Sequence, residues 1–297
     1  MPAISARDLR KHYGEIRAVD GVSFEVEEGE VYALLGHNGA GKSTTVEILE
    51  GHRKRTSGEV SVLGHDPGTA RQQFRDRIGI VLQSSGVEHE LTVREAVDIY
   101  SACYSRRRDV AEVVELVGLG EQLDRRIGHL SGGQRRRLDL AMGIAGKPDL
   151  LFRDEPTTGF DPAARRQAWD LIGELGAVGT TVLLTTHYLE EAEHLADRVG
   201  VLSAGRLVAE GTPDELVGRT GTTVIRFKMP VGLAAGDLQL DVRVESGDAE
   251  LTSTDATRDL HTLTGWALER GVELSGLSVS RPSLEDVFLG LASETGT

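Results

Sequence analysis

Residues 36–44 read Gly36-His37-Asn38-Gly39-Ala40-Gly41-Lys42-Ser43-Thr44 and fit the pattern G-x-x-x-x-G-K-[ST]. No other stretch restricts the fold as strongly, because this motif needs a strand before it and a helix after it. Val31-Tyr32-Ala33-Leu34-Leu35 supplies the apolar strand, and Ser43 to Leu49 is expected as the helix. The glycines allow backbone N–H groups to turn inward around a triphosphate without Cβ clashes. Lys42 can reach the β and γ phosphates, and the Ser43 hydroxyl is placed to ligate Mg²⁺. The following helix turns its positive end to the anion.

The rest of the composition narrows the partners. A net charge of −14 argues against a nucleic-acid binder working through a broad basic surface. Met1 to Gly14 has no apolar core of a signal peptide, and no run of about 18 apolar residues is present to span a bilayer. If the protein drives membrane transport, a separate chain must form the path. The single cysteine, Cys103, excludes an intramolecular disulfide and is expected as a packed thiol.

Taken in order, the chain alternates strands and helices. Val22–Val26, Gly58–Gly64 and Arg77–Leu82 read as strands, the last ending at Gln83. Val93, Ala96, Val97 and Tyr100 fall at helical spacing, as do Val110, Val113, Val114 and Val117. Between these helices, Arg106-Arg107-Arg108 reads as a solvated turn, with an acidic lipid or a partner as the sharper alternative. Leu130-Ser131-Gly132-Gly133-Gln134 follows. Ser131 can cap a helix whose two first glycines leave N–H groups open, a second anion-binding construction. Asp149 to Glu155 is an apolar strand ending in two carboxylates, Asp154 and Glu155, and Thr180 to Thr186 is a β-branched strand ending at His187. A helix from Tyr188 to Ala196 and a hairpin-like stretch from Val199 to Ala209 complete an α/β unit with a mostly parallel, buried sheet. Composition shifts near Thr220. Strands over Thr222–Phe227, Asp241–Val244 and Val272–Val279, a helix over Ala256–Glu269 and an N-cap at Ser283 describe a small α+β domain. Leu284, Val287, Phe288 and Leu291 would form the apolar face of its last helix.

Gln83, Asp154 with Glu155, and His187 each end a strand, and ligands of open parallel sheets sit beyond the carboxyl ends of the strands. These residues should therefore converge on the phosphate loop. Phosphoryl transfer to water requires the γ-phosphate to be held in line and its charge neutralised. Lys42 and Mg²⁺ serve that need, with Ser43 and Asp154 supporting the metal. Glu155 is the expected general base, His187 a partner of the γ-phosphate, and Gln83 a ligand of Mg²⁺ or of the attacking water.

The motifs GHNGAGKST, Gln83, LSGGQ, LLFRDEP, GFDP and TTH, in that order, resemble the ATP-binding subunit of an ATP-binding cassette (ABC) transporter over residues 3 to about 217. The resemblance implies a P-loop NTPase fold with a helical subdomain at about 84–145, a nucleotide-binding domain over 1–218 and an accessory or regulatory domain over 219–297. Tyr13, which spacing alone reads as core, becomes the adenine-stacking aromatic. Ser131, Gly132, Gly133 and Gln134 would contact the ATP held by a second copy, and Asp161 would lie at the dimer contact. Two ATP molecules would close a homodimer, hydrolysis would reopen it, and a separate integral membrane permease would move in response. The TTHYLEEAEHLADR and PSLEDVFL segments resemble the drug and antibiotic exporter branch, implying drug-like or lipid-like cargo and a peripheral position on the cytoplasmic face of the cell membrane. The competing class is a soluble ABC ATPase acting on ribosomes, DNA or protein complexes. Such proteins usually carry two cassettes or a coiled-coil insertion, and neither is visible here.

Arg153 departs from the resemblance, since that strand position is usually aliphatic. Alternation puts it on the side of Leu151 and Glu155, opposite Asp154. It would either pair with a carboxylate and lower the basicity of Glu155, or snorkel to solvent.

Overall fold

The computed structural model describes the chain except residues 70–71, 82–85, 155–161, 178, 219–220, 231–232, 234–235, 237, 239 and 288–297. It divides into two compact units, Met1–Thr212 and Pro213–Thr297.

The first unit opens with a long hairpin, β1 (Ile4–Tyr13) and β2 (Ile16–Val26), then β3 (Val31–Leu35) and α1 (Lys42–Leu49). β4 (Ser57–Val62), α2 (Gln72–Arg75) and β5 (Ile78–Val81) lead to three helices, α3 (Val93–Ser101), α4 (Val110–Leu116) and α5 (Gly132–Ile144). β6 (Leu150–Asp154), α6 (Pro162–Ala177), β7 (Thr181–Thr186), α7 (Leu189–Leu195), β8 (Arg198–Ser203) and β9 (Arg206–Gly211) complete it. β2, β1 and β4 pair antiparallel, and the main sheet has the order β5-β6-β7-β3-β8-β9. All its pairs are parallel except β8 with β9. A strand buried on both faces reads as an unbroken apolar run rather than an alternating one. β3 obeys this, with all five residues buried.

The core of the unit lies between the two sheets and α1. Leu9, Val22 and Phe24 meet Tyr32, Leu34, Leu150 and Phe152, with Val46, Ile48 and Leu49 from the helix. Each such side chain contributes about 1.5–3 kcal/mol by leaving water, so this layer fixes α1, and with it the phosphate loop, against the sheet. α3 and α5 both begin with capping boxes, Thr92 with Glu95 and Ser131 with Gln134. These satisfy N–H groups that the first helical turn leaves open.

The second unit contains α8 (Pro213–Gly218), β10 (Thr223–Lys228), β11 (Arg243–Glu245), β12 (Asp248–Ser253), α9 (Ala256–Arg270) and β13 (Ser278–Ser280). Its antiparallel sheet has the order β11-β12-β10-β13. Ile225, Phe227 and Leu251 pack on Leu263 and Trp266 of α9. At Ser283 the expected cap is present: its Oγ accepts from the Asp286 N–H at 3.3 Å, and its N–H donates to Asp286 Oδ2 at 2.7 Å. Phe288 and Leu291 lie outside the described residues.

Several expectations differ from the structure. The first hairpin is longer than the short strands expected. The last strand begins at Ser278 rather than Val272, because Gly271 ends α9 in the left-handed region and the Val272 N–H turns back to the Ala267 carbonyl. Tyr100 is 37% exposed, unlike Val93, Ala96 and Val97, which are buried. Cys103 is exposed, not packed, because α3 has already ended at Ser101. The arginine turn is exposed at Arg106 and Arg107, as the solvated reading expects, and is paired as well: Arg106 meets Asp149 at 2.7 Å and Arg108 meets Glu112 at 2.7 Å. Arg106 and Arg108 help line a cleft of about 830 Å³ with Arg77, Lys147, Asp149 and Thr180, near the amino ends of β6 and β7. Among the described residues, none expected at the nucleotide site lines it.

Candidate nucleotide site

The loop from Gly36 to Gly41 leaves β3 and enters α1. Gly41 caps the helix at φ 103°, in the left-handed region, and a Cβ there would lie 2.4 Å from the Ala18 carbonyl oxygen. Both the conformation and the space therefore require glycine. At Gly36 a Cβ would lie 2.7 Å from the Leu202 carbonyl oxygen, so β8 is seated directly behind the loop. His37, Asn38 and Gly39 form its exposed tip, while Ala40 is buried and its carbonyl accepts from the Gly205 N–H at 3.1 Å. Lys42 is buried, and its Nζ donates to the Gly36 and His37 carbonyls at 2.6 and 3.3 Å. A buried ammonium needs such acceptors.

Ser43 and Asp154, 111 residues apart, meet at the loop, with Ser43 Oγ 3.4 Å from Asp154 Oδ2. Asp154 is aligned with Thr185 across the β6–β7 pair, and the Thr185 hydroxyl donates to Asp154 Oδ1. One carboxylate oxygen is thus held by the neighbouring strand, and the other faces Ser43. Two oxygens on an octahedral Mg²⁺ with arms of about 2.1 Å lie about 3 Å apart. The Ser43–Asp154 pair is close to that spacing and has the hard oxygen donors such an ion takes, so these residues fit Mg²⁺.

Glu50, at the carboxyl end of α1, is a further buried carboxyl of this region. Burial pushes it up to about 8, with the charges of Asp154 and Glu47 adding to the rise. His52 Nδ1 lies 3.2 Å from its Oε2.

Tyr13 is 40% exposed at the end of β1, so it is not a core residue. Arg53 Nη1 donates to its phenol oxygen, and the Lys11 ammonium lies 4.8 Å from the ring centroid. His187 is exposed at the end of β7, its ring 4.1 Å from that of Tyr188. Ser131 to Gln134 make a closed box: the Ser131 N–H donates to Gln134 Oε1 at 3.0 Å, and the Gln134 N–H to Ser131 Oγ at 3.2 Å. Gly132 beside them is exposed, with open space around its Cα. Gln83, Glu155 and Asp161 lie outside the described residues. Thr44 is half-buried in the first turn of α1.

Arg153 does not snorkel. It is 3% exposed, on the face of β6 opposite the Phe152 core. Burial pulls its guanidinium down to about 10 against the attraction of Glu191, while Arg136 lowers it further and Asp139 raises it. Glu191 is itself fully buried and accepts from Trp169 Nε1 at 3.0 Å.

Sequence reasoning missed Thr185, Glu50 and Glu191. Thr185 stands two residues before His187, but its partner is set by strand register, which no local pattern reveals. Glu50 and Glu191 sit in segments whose polar composition reads as surface.

Among known proteins, the family described as "ABC transporter" matches residues 19–158, and one described as "ABC transporter domain-containing protein-like, C-terminal domain" matches residues 223–283. The daunorubicin/doxorubicin resistance ATP-binding protein DrrA of Streptomyces peucetius is 40% identical over 304 residues, 97% of this chain and 92% of that protein. The Nod factor export ATP-binding protein I of Rhizobium sp. (strain N33) is 40% identical over 299 residues, 97% of this chain and 96% of the relative. A solved dimeric structure of the ATP-binding cassette MJ0796, in a post-hydrolysis state bound to ADP and Pi, superposes with a TM-score of 0.63 at 26% identity. It covers 70% of this chain and 98% of that one. With relatives of that identity aligned along almost its whole length, the chain belongs to the ABC transporter family, as an ATP-binding, ATP-hydrolysing subunit.

Proposed function

We propose that this protein powers an exporter whose membrane path is a separate permease, with drug-like, antibiotic or lipid-like cargo. The observation that carries the reading is the convergence of Lys42, Ser43 and Asp154 at one loop, in a chain 40% identical to a daunorubicin/doxorubicin resistance ATP-binding protein. Among the described residues no helix is long and apolar enough to cross a membrane, which is consistent with a permease formed by another chain. A place on the cytoplasmic face of the cell membrane follows from that partnership. The division into a nucleotide-binding domain over 1–218 and an accessory domain over 219–297 is kept as part of the proposal.

In this reading ATP stacks its base on Tyr13 and lays its phosphates on the backbone N–H groups of Gly36 to Thr44. Lys42 leaves the loop carbonyls for the β and γ phosphates. Ser43 and Asp154 hold Mg²⁺, which when bound neutralises charge on the phosphates. Gln83 completes that side of the site. Glu155 takes the proton of the attacking water, and His187 holds the γ-phosphate by a hydrogen bond. Ser131, Gly132, Gly133 and Gln134 of a second copy close over the same ATP, with Asp161 at the contact between the copies. Support for the two-copy arrangement is the dimeric state of the cassette named above. The nucleotide is then the joint of a homodimer, and its hydrolysis releases the joint.

The test is purification of the full chain from detergent-solubilised membranes, alongside Glu155→Gln. Recovery with a polytopic membrane protein, and an ATP-dependent dimer in Glu155→Gln, is the expected result. Recovery only in a soluble ribosomal or DNA complex would overturn the exporter reading, and wild-type turnover in Glu155→Gln would remove that residue from the base role.

A further inference from the structure

α6 and α7 meet along a seam next to His187. α6 starts at Pro162, immediately after residues 155–161, and α7 starts at Leu189, two residues after His187. Arg165 and Trp169 are four apart on α6 and so share one face. The Arg165 guanidinium carbon lies 4.7 Å from the centroid of the Tyr188 ring. One turn on, the Trp169 ring lies 5.1 Å from that of His194, and its indole N–H bonds the buried Glu191.

Tyr188 is fixed at its backbone as well. Its N–H donates to Thr186 Oγ1 at 2.9 Å, and its carbonyl accepts from the Glu191 N–H at 3.2 Å. The ring therefore lies against the cation of α6 and against the imidazole of His187, whose centroid is 4.1 Å away. A guanidinium over an aromatic face is attracted by the ring quadrupole. The contact holds the Tyr188 ring, and the His187 imidazole is packed against that ring.

We propose that Arg165 and Tyr188 are positioning residues for ATP hydrolysis: the guanidinium of Arg165 holds the Tyr188 ring, and that ring keeps His187 in the rotamer that meets the γ-phosphate. The inference rests on the reading of His187 as the partner of that phosphate. An unrestrained histidine samples three χ1 wells and about two χ2 orientations. That count sets the ceiling: loss of the Tyr188 contact dilutes the competent rotamer by no more than about sixfold. Turnover falls within that ceiling, while ATP binding, which rests on the phosphate loop and Tyr13, is unchanged.

The experiment is steady-state ATP hydrolysis by the full-length chain, with thermal melting of every variant. Arg165→Gln and Tyr188→Leu are each expected to lower kcat, by no more than about sixfold, with KM for ATP within about twofold of wild type and melting unchanged. The double variant falls no further than Tyr188→Leu, because both substitutions break one contact. Arg165→Lys, which keeps a cation, and Tyr188→Phe, which keeps the ring, recover most of the loss. Arg166→Gln, an exposed neighbour, hydrolyses at the wild-type rate. Wild-type kcat in either Arg165→Gln or Tyr188→Leu would overturn the inference. Losses that multiply in the double variant, or that track a fall in melting temperature, would overturn it too. His187→Ala separates the two levels: if it retains full turnover, the underlying reading of His187 fails. If it is inactive while Arg165→Gln is normal, only the positioning role fails.

Discussion

Thr185→Val isolates one bond at the centre of the site. Thr185 is fully buried, and its hydroxyl donates to Asp154 Oδ1 across the β6–β7 pair. Valine keeps the shape, so no cavity opens and the change falls on the hydroxyl that holds Asp154. A hydrogen bond to a charged group contributes about 1.5–3 kcal/mol. Asp154 is half-buried, which favours the lower part of that range, roughly 2 kcal/mol. For a cooperative unit of this size that is a Tm shift of about 4–8 °C. The larger consequence concerns the Mg²⁺ that Asp154 is proposed to hold. A ligating carboxylate that loses its outer partner weakens metal affinity about 10–100-fold. The measurement is ATP hydrolysis against Mg²⁺ concentration at saturating ATP, beside thermal melting. The expected outcome is a Mg²⁺ midpoint raised at least tenfold, with turnover restored at high Mg²⁺. A lower Tm with an unchanged Mg²⁺ midpoint would refute the claim that Thr185 orients the carboxylate. If neither quantity moved, the bond itself would be refuted.

Other expectations concern the buried charges. Arg153→Leu leaves Glu191 without its cationic neighbour and should destabilise the chain by about 3 kcal/mol, with ATP binding intact. Adding Glu191→Gln should recover much of that loss, and melting of the single and double variants checks the pair. Unchanged turnover in Arg153→Leu would exclude the idea that Arg153 tunes Glu155. Glu50 has a folded value near 8 against an ordinary value near 4.5. The folded state thus prefers its neutral form, and the associated stability is complete below about pH 4.5 and lost as pH rises through 8. Glu50→Gln should flatten the decline of Tm between pH 5 and pH 9 in nucleotide-free protein, measured in calcium- and magnesium-free buffer. An identical pH profile would contradict a buried, neutral Glu50. Finally, Gly41→Ala should abolish ATP binding, because its Cβ would meet the Ala18 carbonyl at 2.4 Å. Equilibrium binding with labelled ATP is the check, and near-normal affinity would show that the loop tolerates the displacement.

Much of this site is local chemistry, and local chemistry is readable in a sequence. A phosphate loop needs glycine at a left-handed position, a lysine and a hydroxyl at fixed spacing, and those requirements are written contiguously in residues 36–44. Parallel strands announce themselves as apolar runs, as Val31–Leu35 and Leu150–Phe152 do, because both faces are covered. Helix caps at Ser131 and Ser283 are equally local. Tertiary structure decided what depends on register and packing. Which residue holds Asp154 depends on how β6 aligns with β7, and a slip of one residue would turn Thr185 away. Whether Arg153 reaches water depends on the helices lying over β6, and they bury it beside Glu191. Tyr13 alternates like a core residue, yet it stands at the end of its strand, 40% exposed, with Lys11 and Arg53 over its ring. The seam that brings Arg165 to Tyr188 joins two helices through their crossing, a relation that no spacing within either helix encodes. The sequence alone determined the chemistry of the phosphate loop, because that chemistry is a property of neighbouring residues. Only the folded chain decided which distant side chains hold its carboxylate and its histidine in place, because those contacts exist only where strands and helices are packed together.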